Sequence, residues 1–151
     1  MHLRVPPVAV AAVAAALMVG LSKVLPQITI VFSYMNAIAL VFFLAGFGIA
    51  VSGVVSFRRR ETTLNPTRPS SASSLVACGV YRFSRNPMYL GLLLVLAALG
   101  FYLANPLVLV LGVATFVLYI NKYQIEPEEQ ALLQLFGETF IEYKKNTRRW
   151  F

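Results

Sequence analysis

Two short polar segments next to a long apolar stretch carry the side chains best suited to chemistry. The first, residues 79–91, contains Arg82, Arg85 and Asn86 among aromatic residues, and the second is Glu126-Pro127-Glu128-Glu129. Arginines at the start of a helix, beside unpaired backbone N–H groups, suit an anion such as a carboxylate or phosphate. Interfacial anchoring explains the first segment equally well, and a favourable interaction with the helix dipole explains much of the second. The sequence therefore offers two candidate site segments with a simpler alternative for each.

The residue types that are rare or absent exclude several classes of function. One histidine, His2, and one cysteine, Cys78, supply neither a zinc site nor a Cys/His catalytic pair. No glycine-rich fingerprint of a Rossmann domain or a phosphate-binding loop is present. The net charge of +7 has no accompanying pattern of basic and aromatic residues that favours nucleic acid. We therefore expect no metal, no nucleic acid and no conventional nucleotide domain.

Composition and charge spacing predict an integral membrane protein. Hydrophobic residues make up 58% of the chain, and residues 5–22, 24–57 and 86–121 contain no Asp, Glu, Lys or Arg. Each run approaches or exceeds the ~20 residues that cross the hydrocarbon core of a bilayer. The first run also resembles a cleaved signal peptide in length, but its long apolar part and the second run that follows favour a retained helix.

Four spanning segments fit these runs, and the fold predicted is all-α and polytopic. The spans are expected at Val8 to Leu25, Ala37 to Phe57, Met88 to Ala104 and Leu107 to Ile120. Asn105-Pro106 should divide the last two into a short helical hairpin, because proline disfavours helix before it and suits the first helical turn. Residues 26–36 are predicted as an interfacial connector or an extension of the second span. Residues 1–151 are predicted to form one membrane domain. It consists of two N-terminal spanning helices (1–57), a cytoplasmic loop (58–87), the hairpin (88–121) and cytoplasmic C-terminal helices (122–151).

The distribution of basic residues predicts the orientation of the chain. With four spans, 12 of the 13 Lys and Arg residues lie on one side of the membrane, and Lys23 lies on the other. By the positive-inside rule, both termini and the site face the cytoplasm, as in a bacterial-type inner membrane. The loop from Thr62 to Pro69, with the serines after it, is either a mobile lid or a flexible linker.

The C-terminal region is predicted to lie on the membrane surface. Leu132, Leu133, Phe136, Phe140 and Tyr143 recur at steps of three and four residues, which predicts an apolar stripe on a helix pair broken near Gly137. Lys144, Lys145, Arg148, Arg149 and Trp150 are expected to anchor the end of the chain. The glutamates before this pair are thereby held near the Arg82 loop.

These segments, in this order, resemble the isoprenylcysteine carboxyl methyltransferase and phospholipid methyltransferase superfamily. The resemblance covers residues 58–151. It rests on Thr62-Thr63-x-Asn65-Pro66, Leu75-Val76, Gly79-x-Tyr81-Arg82-x-x-Arg85-Asn86-Pro87-Met88-Tyr89-x-Gly91, Glu128-Glu129-x-x-Leu132 and Phe136-Gly137-x-x-Phe140-x-x-Tyr143. The family often has Pro at the position of Val80 and His at that of Asn86. Asn86 does not titrate, so the resemblance carries no acid-base role to that position.

The resemblance implies an enzyme that binds S-adenosylmethionine without a Rossmann domain. Glu129, with Glu128 beside it, is expected to pair with the ammonium group of this methyl donor, and Arg85 or Asn86 with its carboxylate. Tyr81, Phe83 and Tyr89 are expected to contact the adenine or the sulfonium. The full set expected to bind the donor is Tyr81, Arg82, Phe83, Arg85, Asn86, Pro87, Tyr89, Gly91, Glu128 and Glu129.

The methyl acceptor is predicted to be lipophilic, such as a prenylated thioether carboxylate or another small lipidic molecule that enters from the bilayer. Arg148 or Arg149 would steer a carboxylate acceptor, whereas a phospholipid amine would need a base, for which Glu128 is the nearest candidate. Two other classes stay open at this point. They are an NADPH-dependent relative of membrane sterol reductases and a membrane adaptor without catalytic activity.

Overall fold

The computed structural model of the chain describes residues 5–26, 34–59 and 75–151, and every regular element in these ranges is a helix. The elements are α1 (Pro7–Val24), α2 (Met35–Arg59), a 3₁₀ turn (Gly79–Arg82), α3 (Pro87–Tyr102), α4 (Pro106–Ile120), a π turn (Asn121–Ile125) and α5 (Glu126–Asn146). The prediction of an all-α fold is confirmed. The predictions for His2 and for the Thr62 to Pro69 loop lie outside the described residues, as does most of the 26–36 connector.

Within the described ranges, three helical stretches are long and apolar enough to cross a membrane. They are Pro7–Val24, Met35–Ser56 and the continuous run Pro106–Asn146, while Pro87–Tyr102 is a shorter apolar helix. These lengths are compatible with the polytopic membrane protein expected from the sequence. The number of spans stays a prediction, because α3 is shorter than a standard span.

The hairpin between α3 and α4 forms where the sequence predicts it. Ala104 has a φ of 49°, and the next residue, Asn105, caps α4 by accepting hydrogen bonds from the backbone N–H groups of Leu107 (3.1 Å) and Val108 (3.3 Å). Pro106 takes the first helical position, where it has no hydrogen bond to lose. Local chemistry at Asn105-Pro106 thus reverses the chain, and the Asn105 side chain also donates to the distant Pro26 carbonyl oxygen at 3.4 Å.

Small residues let the helices approach closely. A Cβ atom on Gly91 of α3 would lie 2.6 Å from the carbonyl oxygen of Gly46 in α2, so the two backbones are nearly in contact. A Cβ on Gly112 of α4 would collide with the side chain of Met18 in α1. Close backbone contact at small residues is the usual way that apolar helices associate when lipid removes the hydrophobic driving force. Gly91, which was predicted to bind the donor, is therefore explained by helix packing.

Gly91→Ala is expected to lower the free energy of unfolding by about 1–3 kcal/mol, and with it the melting temperature of the protein in detergent. The new methyl group meets a carbonyl oxygen of α2 that cannot rotate away. Gly48→Ala is the matched control, since a Cβ at that glycine of α2 has nothing within 4 Å. Equal melting temperatures for the two variants would contradict this account of the α2–α3 contact.

Helix α5 continues directly from the π turn and bends once. Gly137 has non-helical dihedral angles (φ 49°, ψ −122°), which confirms the break predicted there. The apolar stripe is only partly packed, because Phe140 is buried whereas Leu133 is 43% exposed. An exposed apolar side chain on a polar helix suits a position at the membrane surface.

Candidate functional site

The loop before α3 divides its aromatic side chains between the interior and the surface. The 3₁₀ turn begins at Gly79, whose φ of 61° favours glycine, and it carries Tyr81 into the interior, where 5% of the residue is exposed. Phe83 is 80% exposed and Arg82 is also exposed. Of the first three residues predicted to bind the donor, the structure thus brings only Tyr81 to the polar cluster described below.

The end of the chain, residues 147–151, is here termed the C-terminal strap, because it lies along the loop before α3. The backbone N–H of Arg85 donates to the carbonyl oxygen of Arg148 at 2.9 Å, and the Asn86 side chain donates to that of Arg149 at 2.9 Å. The Ser84 hydroxyl also donates to the Arg149 carbonyl, at 3.4 Å. The sequence predicts a membrane anchor here but does not reveal this strap, because backbone carbonyls leave no signal in residue types.

Arg85 ties the strap to α5. Its Nη1 donates to the carbonyl oxygens of Lys144 (3.1 Å) and Thr147 (2.9 Å), and its Nη2 donates to Glu129 Oε1 at 3.0 Å. Its Nε is buried and has no hydrogen-bond partner among the described residues. An arginine held this firmly, with one buried donor left over, can still bind an acceptor atom of a ligand.

Glu129 is surrounded by three cations. Besides Arg85, it accepts from Arg149 Nη2 (2.8 Å) and Nε (3.2 Å), and Lys144 Nζ lies 3.6 Å away. Burial alone would raise the pKa of this carboxyl, but the Arg149 hydrogen bond and the charges of Arg149, Arg85 and Lys144 hold the pKa below its usual range. Glu129 is thus ionised, and the protein's own side chains already neutralise it.

Glu128, its neighbour in sequence, has the opposite environment. Its Oε1 accepts a hydrogen bond from the Tyr89 hydroxyl at 2.5 Å, and no ion pair within the described ranges includes it. Burial raises the pKa of Glu128 to about 7, the nearby charge of Glu129 adds to the rise, and the Tyr89 hydrogen bond opposes it. A partly buried carboxyl without a cation beside it is suited to a cationic ligand.

Two tyrosines complete the cluster. Tyr81 and Tyr89 are each 5% exposed, and the Tyr143 hydroxyl of α5 donates to the Tyr81 carbonyl oxygen at 2.7 Å. Burial raises the pKa of Tyr81, and the charges of Tyr143 and Glu128 add to this effect. The Tyr81 phenol therefore stays neutral, and it lies close enough to Glu128 to sense its charge.

The remaining predicted residues occupy different places. Pro87 is buried at the first position of α3, Arg148 is exposed, and the Arg149 guanidinium is committed to Glu129. Within residues 5–26, 34–59 and 75–151, no group of three His, Cys, Asp or Glu side chains is placed to hold a metal ion. The structure thus places a carboxyl without a cationic partner, Glu128, next in sequence to the carboxylate that pairs with Arg85, whose guanidinium has a spare donor among the described residues.

This helical membrane architecture, with a polar cluster where the hairpin meets the loop and α5, agrees with the match to known families. The chain belongs to the phospholipid methyltransferase family, whose model matches residues 34–139. The membrane methyltransferase superfamily expected from the sequence is thereby confirmed. No solved structure matches the chain significantly.

Three curated proteins illustrate the similarity. An uncharacterized protein of Haemophilus influenzae is 48% identical over 63 residues, which are 42% of this chain and 98% of that protein. Protein-S-isoprenylcysteine O-methyltransferases of Xenopus laevis and Saccharomyces cerevisiae are 38% identical over 76 residues and 37% identical over 81 residues. These matches cover 50% and 52% of this chain, but only 26% and 32% of the two enzymes. The chain thus spans about a third or less of the length of those two relatives.

Proposed function

We propose that the protein is an S-adenosylmethionine-dependent methyltransferase that acts on a lipophilic acceptor at the cytoplasmic face of the membrane. One observation carries the choice of donor: Glu128 has no cationic partner in the described residues, and the nearby Arg85 has a buried Nε without a partner. The amino-acid end of S-adenosylmethionine carries an ammonium and a carboxylate, which match these two groups. The proposed orientation rests on the excess of basic residues on one side.

The structure changes which glutamate we assign to the ammonium group. The sequence favoured Glu129, but Arg85, Arg149 and Lys144 already surround that carboxylate. We assign the ammonium to Glu128 instead and the carboxylate to Arg85 Nε. Tyr81 and Tyr89, which lie beside Glu128, provide aromatic faces for a sulfonium cation.

The donor supplies a methyl group on a cationic sulfur, so no protein nucleophile is needed. The tasks of this chain are to fix the ligand in line with the acceptor and to exclude water. Arg85 helps to fix the ligand, because three hydrogen bonds already hold its guanidinium in place. The buried side chains of Tyr81 and Tyr89 help to exclude water. Arg148 is the exposed cation of the strap, and we propose that it steers an anionic acceptor, because Arg149 is paired.

The acceptor that we favour is an isoprenylcysteine-like carboxylate, which is what the printed names of the Xenopus and yeast relatives suggest. Such a carboxylate is ionised at neutral pH and needs no base, which leaves Glu128 free to bind the donor. The family description supports a second candidate, a phospholipid amine. An amine would need deprotonation by a carboxyl that is also needed for the ammonium.

Calorimetry in detergent tests the donor, with S-adenosylhomocysteine and NADPH as separate ligands. Binding of the first alone is expected, while binding of NADPH alone or of neither ligand would reject the proposed function. Transfer of a radiolabelled methyl group to prenylcysteine analogues or to phospholipids then separates the two acceptors. Methylation of water-soluble acceptors only would contradict access from the bilayer.

Tyr89→Phe is expected to move the pH dependence of S-adenosylhomocysteine binding to higher pH. The Tyr89 hydroxyl lowers the pKa of Glu128, so its removal raises that pKa and delays ionisation. Calorimetric titrations across a pH series would measure the midpoint, and Tyr123→Phe, an exposed tyrosine, is the control. A midpoint that moves to lower pH would contradict the assignment of Glu128.

A further inference from the structure

Gln124 has a buried oxygen atom that nothing in the described chain satisfies. The residue lies in the π turn and is 2% exposed, and its Nε2 donates to the Val5 carbonyl oxygen at 2.8 Å. That hydrogen bond fixes which end of the amide is oxygen, and Oε1 is buried without a partner. A buried carbonyl oxygen without a donor is costly, so this atom is suited to an N–H or O–H group of a ligand.

The surroundings of Gln124 connect it to the candidate site. It lies four residues before Glu128, one helical turn toward α4. Three residues earlier, Asn121 Oδ1 accepts a hydrogen bond from the Trp150 indole at 3.2 Å, and Trp150 packs against the buried core that includes Ile125. The π turn is therefore bonded to Val5 through Gln124 and to the strap through Asn121. π turns within helices are rare and frequently occur at functional sites.

We propose that Gln124 Oε1 accepts a hydrogen bond from an N–H or O–H group of the lipophilic methyl acceptor, with Trp150 beside the bound molecule. This inference rests on the proposed function. An acceptor whose reacting group lies near Glu128 and whose apolar part extends along α4 into the bilayer passes Gln124 on the way. Residues four apart are neighbours on one face of a helix, so the substrate class is an amphiphile with a hydrogen-bond donor beside the methylated group. The amide N–H of an acylated prenylcysteine is such a donor, because its nitrogen is bonded to the carbon that bears the carboxylate.

Two matched probes test the contact without any methyl transfer. They are radiolabelled N-acetyl-S-farnesylcysteine and its analogue in which an ester oxygen replaces the amide N–H, each measured by equilibrium dialysis in detergent. The wild-type protein should bind the amide about tenfold more tightly than the ester, and Gln124→Met should bind the two within about twofold. Since each ratio compares two ligands on one variant, the lost hydrogen bond to Val5 affects both measurements equally.

Gln130→Met provides the control, because Gln130 is an exposed glutamine of α5, and the wild-type ratio should persist in it. Trp150 is the only tryptophan, so its fluorescence should change when either probe binds. The inference is overturned if the wild type binds the amide and the ester equally, or if Gln124→Met still prefers the amide. It is also overturned if Trp150 emission does not change when a probe binds. A protein that binds S-adenosylhomocysteine but neither probe also overturns it and leaves the donor site standing. Failure to bind S-adenosylhomocysteine would instead reject the proposed function.

Discussion

Replacing Glu128 with glutamine is expected to weaken S-adenosylhomocysteine binding by about tenfold or more and, at about pH 8, to raise the melting temperature of the ligand-free protein. Binding weakens because glutamine offers no charge to the ammonium group. Stability rises because the folded protein raises the pKa of Glu128 from 4.5 to about 7. The folded state therefore holds the proton more tightly than the unfolded chain does. The stability that this gives is present below pH 4.5 and is lost as the pH rises to about 7.

The same pKa predicts how the wild-type protein responds to pH. Its affinity for S-adenosylhomocysteine should rise by about tenfold between about pH 6 and about pH 8, as the Glu128 carboxyl ionises. Glu128→Gln should lack this rise, and its gain in melting temperature should shrink toward about pH 5. Glu142→Gln, at an exposed glutamate of the same helix, should behave as wild type in both measurements. Wild-type affinity in Glu128→Gln across the whole pH series would exclude Glu128 as the ammonium partner.

Features encoded by local chemistry could be predicted from the sequence. The start of α4 is defined locally at Asn105-Pro106, since an asparagine cap and a proline at the first helical position act within three residues. Gly137 likewise takes a backbone conformation that favours glycine. The apolar helices follow from composition alone, because a chain without charges over such lengths has no other stable state in a bilayer.

Features that depend on the path of the chain could not be predicted. The strap bonds to the loop before α3 through the carbonyl oxygens of Arg148 and Arg149, and every residue has such an oxygen. Gln124 is a polar residue without a motif around it that marks it in the sequence. Its burial depends on where Val5, far away in sequence, places a carbonyl oxygen. The helices are apolar on all sides, so hydrophobic periodicity does not show which faces pack together.

The different roles of Glu128 and Glu129 show where sequence reasoning about the site stops. Consecutive residues on a helix point about 100° apart, so two identical side chains enter different surroundings. One meets Arg85, Arg149 and Lys144, and the other meets Tyr89. A sequence motif locates the pair, but only the packed structure shows that one carboxylate is neutralised internally and the other is available.

Replacing Glu129 with glutamine is expected to destabilise the protein by about 3 kcal/mol, because it removes the carboxylate shared by Arg85 and Arg149. The Arg85 side chain is only 11% exposed and would keep its charge without a carboxylate beside it. The strap should loosen as well, because Arg149 would lose its ion pair. Thermal unfolding in detergent measures the first effect. A shift of Trp150 emission to longer wavelength, as the indole leaves Asn121, measures the second.

Glu126→Gln is the matched control three residues earlier in α5. Its ion pair with Lys122 at 3.4 Å is exposed at both ends, so its loss should cost less than about 0.5 kcal/mol. The comparison also decides between the two assignments of the ammonium group. If Glu129 held the ammonium directly, Glu129→Gln would lose S-adenosylhomocysteine binding and Glu128→Gln would keep it. We expect the reverse for binding, while Glu129→Gln mainly lowers stability and strap order. Any binding that remains should keep its dependence on the ionisation of Glu128, because the carboxylate that binds the ligand is still present.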